Sequence, residues 1–318
     1  MRDCHAGPLR ERELFRNSVL ALLAASVLAP LASVARTPAE SSSSLPSFDA
    51  TTSLLVVSPH PDDETLCCAG AIERVAAAGG HVSVVWVTSG DGSMLSLLVV
   101  EKSLFASRAK VRDLASKRMQ EARTATALLG VPNTQQLFLG YPDGAISALL
   151  ANNRAAPYRS RLTGYTSVPY PDALFPGHPY TGESLQHDFE AVLDRVRPTL
   201  ILAPGLDDTH PDHSATGRLT TRVLMQRGEL SKLRYWIVHG GEGWPSPRGY
   251  MPGIPLNMPT AAGSPRMFTF ALTDGEEARE LQAVNAYHSQ MEVMAPFLLA
   301  FVRTSELFSG PPTALTAP

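Results

Sequence analysis

Short apolar runs alternate with longer segments of helical periodicity along most of the chain. The runs are rich in Leu and Val, which is typical of strands buried on both faces, and they lie at 53–58, 81–88, 135–139 and 199–203. The segments between them predict helices at 65–78, 101–129, 185–196 and 214–227. Further strands near 233–238 and 266–272 and two C-terminal helices complete the pattern. This alternation predicts an α/β fold, with a mostly parallel sheet covered by helices on both faces.

Polar clusters follow the predicted strands directly. They lie at 59–64, 89–92, 140–144 and 204–213. Because the carboxyl ends of parallel strands meet at one edge of the sheet, ligands of such folds bind there. The sequence therefore predicts one active site at the C-terminal edge of the strands.

Two long insertions interrupt the alternation, at 151–182 and 240–265. Loops of this length in a compact domain are usually functional. The aromatic residues of these insertions either stack on a ligand such as a sugar ring or fold the loop onto the sheet. We expect a single catalytic domain over 51–310 that includes both insertions, followed by a tail at 311–318.

The N-terminal segment is typical of a secretory signal. Arg10, Arg12 and Arg16 precede an apolar run at 18–35, which ends in the small-x-small triplet Ser33-Val34-Ala35. We expect cleavage and export to the periplasm or the medium, with 36–50 as a linker. The alternatives are an uncleaved membrane anchor, since the run barely reaches spanning length, and a buried helix.

Composition restricts the class of protein further. The 318 residues carry 27 basic and 30 acidic side chains, a net charge of −3, which provides no electrostatic basis for binding nucleic acid. Of the three cysteines, Cys4 falls within the signal, and Cys67 and Cys68 are neighbours. We therefore expect no disulfide scaffold.

The clusters at 59–64 and 204–213 carry the candidate chemistry. Three imidazoles and four carboxylates lie in two short turns: His60, Asp62, Asp63, Glu64, His210, Asp212 and His213. Without a cation, such a cluster would suffer like-charge repulsion. A catalytic zinc site needs three ligands and one open position, which His60 and Asp63 with one or both of the later histidines can provide. Asp62 and the remaining histidine would then be free for acid–base catalysis. A single His or Asp at the end of a strand is, however, more often a turn or helix-cap residue.

Pro-His-Pro-Asp-Asp-Glu at 59–64 and His-Pro-Asp-His at 210–213 together resemble the PIG-L/LmbE-like family of zinc-dependent deacetylases of N-acetylglucosamine conjugates. Weaker matches are Ser-Gly-Asp-Gly at 89–92, Arg-Met-Gln-Glu at 118–121, Leu-Gly-Tyr-Pro-Asp-Gly at 139–144 and Tyr-His-Ser-Gln at 287–290. The resemblance covers most of 53–290 and implies a Rossmann-like sheet. Pro59, where the family more often has Ala, departs from the pattern without touching a ligand.

The resemblance also implies a role for each matched residue. His60, Asp63 and His213 would bind Zn2+, although related sites accept other divalent ions. Asp62 would be the general base, and His210 the electrophile or general acid, oriented by a hydrogen bond from Asp212. Arg118 and Asp143 would contact sugar hydroxyls. The implied partner is an N-acetylated sugar or glycoconjugate.

Other functions fit the same residues. One is hydrolysis of a different acyl amide, such as an acylated antibiotic or a lipid-linked sugar. A two-metal phosphoesterase would need a second complete ligand set, which is not evident. A carbohydrate-binding protein with a structural metal would usually close the site with four Cys or His ligands.

Overall fold

The computed structural model describes residues 44–101, 107–259 and 266–311. Within these ranges the strands are β1 (Ser53–Ser58), β2 (His81–Thr88), β3 (Gln136–Tyr141), β4 (Leu200–Pro204), β5 (Leu233–Trp236), β6 (Phe268–Ala271) and β7 (Ser305–Phe308). The helices are α1 (Asp63–Ala77), α2 (Met94–Val99), α3 (Arg108–Leu128), α4 (Ile146–Ala151), α5 (Gly182–Val196), α6 (Pro211–Arg227), α7 (Asp274–Asn285) and α8 (His288–Leu298). Short 3-10 helices lie at Asn133–Gln135 and Leu230–Lys232.

Five of these strands form a parallel sheet in the order β3-β2-β1-β4-β5. The chain builds outward from β1 to β3 and then returns to place β4 on the other side of β1. The strand order therefore reverses between β1 and β4, and a crevice opens at the carboxyl ends of these two strands. This is the predicted Rossmann-like arrangement, and it brings together the two polar turns that follow β1 and β4.

The sheet is buried on both faces, as its apolar runs predicted. Leu54, Leu55, Val56 and Val57 of β1 are inaccessible to solvent. On the next strand, Trp86 stacks on Phe138 of β3, with their ring centroids 4.3 Å apart. Burial of this much apolar area provides the main stabilisation of the fold.

Some predicted bounds differ from those of the structure. The helix predicted at 101–129 begins only at Arg108, where the side chain of Ser107 accepts a hydrogen bond from the Lys110 amide and caps it. Neither α4 nor β7 was predicted, because both are short and depend on distant partners. β6 pairs antiparallel with β7 in a separate two-stranded sheet.

Both insertions pack against the rest of the domain where they are described. In 151–182, the hydroxyl of Tyr170 donates to Oδ2 of Asp91 at 3.0 Å, and Tyr180 is fully buried. In the second insertion, the buried ring of Trp244 packs edge-on against Phe301, with the ring centroids 5.4 Å apart. Much of the aromatic content of the insertions therefore packs against the domain.

Cys67 and Cys68, the neighbouring cysteines, are joined to each other by a disulfide. Their Cα atoms are only 3.7 Å apart, as adjacent residues must be. The bridge closes a ring within a single turn of α1. It therefore links no separate elements, and the fold still relies on its core.

The chain ends fall largely outside the described residues. The proposed signal at 1–35, the linker up to residue 43, residues 260–265 and the tail from 312 lie there. In the described part of the linker, Phe48 contacts the ring of Phe270, with centroids 6.1 Å apart. Among the described helices, none combines the length and apolar character needed to cross a bilayer. The predicted domain bounds stay predictions.

Candidate active site

Two strand-to-helix turns carry the site, one after β1 and one after β4. In the first, Asp62 has φ 122° and ψ −37°, a conformation rare for a residue with a side chain. Its amide donates to Oε2 of Glu64 at 3.3 Å, and its carbonyl accepts from the amides of Thr65 and Leu66. In the second turn, His210 caps α6 and Pro211 occupies the first helical position.

Three side chains from these turns converge on one point. Nδ1 of His60 and Nε2 of His213 each lie 3.1 Å from Oδ2 of Asp63, and the two nitrogens are 3.2 Å apart. All three residues are buried. Ligands arranged tetrahedrally around zinc at about 2.0–2.1 Å are roughly 3.3 Å from one another. The donor set and its spacing therefore fit one divalent metal ion.

The outer nitrogens of both histidines face carboxylates. Nδ1 of His213 lies 3.1 Å from Oδ2 of Asp208, and Nε2 of His60 lies 3.3 Å from Asp143 and 3.4 Å from Asp212. Carboxylates in these positions accept a hydrogen bond from the outer N–H of the imidazole, so the inner nitrogen carries no proton and is available as a metal ligand. This pattern is typical of histidines that bind metal.

Asp62 lies beside the three donor atoms without joining them. Its Oδ2 accepts a hydrogen bond of 3.1 Å from Nη2 of Arg118, which is also buried. Burial raises the pKa of Asp62 to about 7, whereas the positive charge of Arg118 acts to lower this pKa. The carboxylate of Asp62 is thus positioned as a base whose proton affinity Arg118 limits.

His210 lies against His60 and His213, with its ring centroid 4.9 Å from each of theirs. Its Nδ1 accepts from the backbone amide of Asp212 at 3.3 Å, which leaves the proton on Nε2. Burial, with the charges of His60 and His213, lowers the pKa of His210. A neutral imidazole that donates through Nε2 fits the electrophile expected here.

Asp212, Asp143 and Arg118 make several contacts with other groups of the protein. The predicted hydrogen bond to His210 comes from the Asp212 backbone, whereas its carboxylate accepts from the amides of Gly144 at 2.7 Å and Ile146 at 3.0 Å. Asp143 accepts from the amide of Gly92 at 3.0 Å and faces His60. Arg118 donates to the carbonyls of Gly90 and Pro61 besides Asp62. The predicted contacts of Arg118 and Asp143 with sugar hydroxyls stay predictions.

Sequence reasoning missed two groups around the three converging side chains. Oδ2 of Asp208 lies 3.1 Å from Nδ1 of His213 and also accepts from the amides of Val238 and His239 at 3.0 Å. His239 lies at the carboxyl end of β5, with its ring 4.8 Å from that of His213 and stacked on Phe297. The rule that ligands bind beyond the strand ends could have found it, since a strand was predicted near 233–238.

The two turns that carry the site line one cavity of about 290 Å³. Its polar lining includes His60, Asp62, Asp63, Arg118, Asp143 and His210. Its apolar lining comes from α1 and α8, through Leu66, Met294, Phe297 and Leu298. A cavity of this size with a few convergent polar groups is typical of a small-molecule site.

The profile of the family described as PIG-L, GlcNAc-PI de-N-acetylase, matches residues 55–224. The match covers more than half of the chain and includes both turns that carry the site. The chain belongs to the PIG-L family.

Two curated relatives of this chain carry the same name. The 1D-myo-inositol 2-acetamido-2-deoxy-alpha-D-glucopyranoside deacetylase of Thermobifida fusca is 30% identical over 56% of this chain and 56% of that protein. The protein of the same name from Actinosynnema mirum is 26% identical over 76% of this chain and 81% of that protein. The chain thus spans little more than half the length of the first of these relatives.

Solved structures share the fold. The A40926 pseudoaglycone deacetylase Dbv21 has a TM-score of 0.55 and 19% identity over 81% of this chain and 96% of that one. The N,N'-diacetylchitobiose deacetylase of Pyrococcus horikoshii has a TM-score of 0.50 and 20% identity over 82% of this chain and 84% of that one. The α/β architecture of this PIG-L family member is therefore that of known deacetylases.

Proposed function

We propose that the protein is a zinc-dependent hydrolase that removes the N-acetyl group from an N-acetylglucosamine-type sugar or glycoconjugate. The observation that carries the proposal is the convergence of His60, Asp63 and His213 beside Asp62, a buried carboxylate outside the ligand set. A structural metal site would have no use for such a carboxylate. The family and the names of the relatives support the same reaction.

His60, Asp63 and His213 would hold the zinc ion. When bound there, zinc acts as a Lewis acid and makes water a nucleophile near neutral pH. Asp62 accepts the proton of the attacking water, since its carboxylate lines the cavity beside the ligands. Arg118, 3.1 Å from Asp62, holds that carboxylate in place.

His210 stabilises the negative charge that develops on the acetyl oxygen. The hydrogen bond that Nδ1 of His210 accepts from the Asp212 amide holds the ring in the tautomer that donates from Nε2. Loss of one such donor typically costs about 2.7–4 kcal/mol of activation free energy. Either Asp62 or His210 returns the proton to the leaving amine, as both line the cavity.

The apolar wall of the cavity favours a second candidate, hydrolysis of a longer acyl amide or of an acylated substrate with an apolar aglycone. Leu66, Met294 and Phe297 supply more apolar surface than an acetyl methyl group requires. Comparison of N-acetyl and N-octanoyl glucosamine as substrates separates the two candidates. Faster release of octanoate than of acetate would favour the second.

Acetate release from N-acetylglucosamine, N,N'-diacetylchitobiose and the inositol glycoside named for the relatives tests the main proposal. We expect release that stops with a chelator and returns with Zn2+. Addition of other divalent ions to the stripped protein identifies the metal that supports the highest rate. Sugar binding without chelator-sensitive acetate release would instead indicate a binding protein.

Export to the periplasm or medium is a separate proposal that rests on residues 1–35. The mature protein should begin at Arg36, which N-terminal sequencing after expression in a bacterial host can determine. An intact N-terminus in the membrane fraction would indicate an uncleaved anchor. An intact N-terminus in the cytosol would contradict export.

A further inference from the structure

His239 follows β5 and lines the active-site cavity beside the three converging side chains. Its amide donates to Oδ2 of Asp208 at 3.0 Å, and its carbonyl accepts from the amide and the hydroxyl of Thr209, both at 3.0 Å. Asp208 in turn lies 3.1 Å from His213. The backbone of His239 is therefore fixed to the turn that carries His213.

The ring of His239 packs between two other rings. Its centroid lies 4.8 Å from that of His213, which it meets edge to face, and 5.6 Å from that of Phe297, on which it stacks. The guanidinium of Arg248, from the second insertion, lies over the Phe297 ring at 4.6 Å from its centroid. The second insertion therefore supports the cavity wall against which His239 lies.

The two ring nitrogens of His239 are not bonded within the protein. Across the ranges that the structure describes, neither nitrogen forms a hydrogen bond with another residue. His210 differs, because its Nδ1 accepts from the Asp212 amide at 3.3 Å and its Nε2 carries the proton. Of these two histidines, His239 is therefore the one with a nitrogen lone pair that is free to bind an ion.

The His239 ring also lies close enough to the metal position. One of its nitrogens is within 4.8 Å of a ligand atom of Asp63 and of a ligand atom of His213. Donor atoms on opposite sides of one zinc ion, each about 2.0–2.1 Å from it, are roughly 4.2 Å apart. A small rotation of the ring therefore brings the His239 nitrogen to ligand distance without movement of the backbone.

We infer that His239 is a fourth protein ligand of the metal ion when no substrate is bound, in addition to His60, Asp63 and His213. Imidazole is a ligand that zinc accepts readily, and a fourth ligand holds the ion more tightly than three do. Zinc sites expand to five ligands during catalysis, so His239 still leaves room for water or substrate. The inference rests on the metal site of the proposed function but not on the reaction.

X-ray absorption at the zinc edge of the zinc-loaded full chain tests the inference, because scattering from the ring carbons counts the imidazoles bound to the ion. We expect three imidazoles in the wild type and two in His239→Phe. The phenylalanine ring can still pack between His213 and Phe297, but it has no donor atom. Equal numbers of imidazoles in the two proteins, whether two or three, would overturn the inference.

Zinc affinity, measured by competition with a chromogenic chelator, provides a second readout. His239→Phe and His239→Ala should both bind zinc about tenfold more weakly or worse, since loss of a group that merely orients a ligand already costs about 10–100-fold. His187→Ala, which removes an exposed histidine elsewhere, is the matched control and should retain the affinity of the wild type. If His239→Ala loses affinity and His239→Phe retains it, His239 only packs, and the inference is wrong.

Acetate release from the wild type separates this test from that of the proposed function. Three imidazoles in the wild type and two in His239→Phe, without chelator-sensitive acetate release, would retain the fourth ligand and contradict the deacetylase. Chelator-sensitive acetate release with two imidazoles in both proteins would retain the deacetylase and contradict the fourth ligand.

Discussion

The hydroxyl of Tyr287 donates a hydrogen bond to Oε1 of Glu64, although 223 residues separate them in sequence. Nε1 of Trp86 donates to the other oxygen of the same carboxylate at 2.8 Å, as does the amide of Asp62 at 3.3 Å. Glu64 is fully buried. It therefore connects β2 and the C-terminal helices to the turn that positions Asp62 and Asp63.

Tyr287→Phe should destabilise the protein, because it removes one donor from a buried carboxylate. We expect a loss of about 1–3 kcal/mol in the free energy of unfolding, measured by urea denaturation. Acetate release should fall as well, since the turn that holds Asp62 loses support. Tyr250→Phe, at an exposed tyrosine, is the control. Equal stabilities of the wild type and Tyr287→Phe would show that the contact contributes nothing.

Asp62→Asn should retain the metal and lose activity. The three donor atoms of His60, Asp63 and His213 are untouched, whereas the proton acceptor is gone. We expect a decrease in kcat of about 10²–10⁴-fold with unchanged zinc content, measured by acetate release and elemental analysis. Asp113→Asn on the exposed side of α3 should change neither quantity. Full activity of the zinc-loaded Asp62→Asn variant would refute the assignment of the base.

Asp208→Asn should weaken metal binding. Oδ2 of Asp208 lies 3.1 Å from Nδ1 of His213 and orients that ring. Loss of such an outer carboxylate typically lowers metal affinity about 10–100-fold. Competition with a chromogenic chelator measures the change, and Asp172→Asn at an exposed loop position is the control. An unchanged zinc affinity would show that the protein backbone alone orients His213.

The stability of the protein should decrease as the pH rises from about 5 to 8. Burial and the charges of Glu306 and Glu277 raise the pKa of Glu280 well above its usual value, and burial raises the pKa of Glu306 to about 8. In this range the folded state holds protons that the unfolded state has released. Each such proton therefore lowers the free energy of unfolding by up to about 1.4 kcal/mol per pH unit.

Glu280→Gln removes one titrating carboxyl group, so the free energy of unfolding of the variant should depend less on pH than that of the wild type. Urea denaturation at pH 5.0, 6.5 and 8.0 gives the slope of the free energy of unfolding against pH for the wild type and for the variant. Contributions from the metal site are common to both proteins and cancel in the difference between the two slopes. Glu292→Gln, at an exposed position of α8, should retain the slope of the wild type. Parallel curves for wild type and Glu280→Gln would contradict the prediction.

The strands of the central sheet were predictable because of their burial. A strand covered on both faces needs an unbroken apolar run, and for β1 and β2 that run has the bounds of the observed strands. α3 was placed less well, because Ser107 begins it through a local cap within a long polar stretch. β7 and its pairing with β6 depend on a contact between distant segments, which leaves no periodic signal.

By itself, the sequence determined the alternation of strands and helices and the polar turns at the strand ends, since both follow from local patterns of apolar and polar residues. Only the tertiary structure decided which atoms of these turns meet and which distant side chains support them. The placement of β4 beside β1 brings His213 to His60, and the folding of the C-terminal helices brings Tyr287 to Glu64. It also directs Arg118 to Asp62 and Asp208 to His213. Most of these partners come from segments far apart in the chain, and they meet because packing of the whole core fixes where each segment lies.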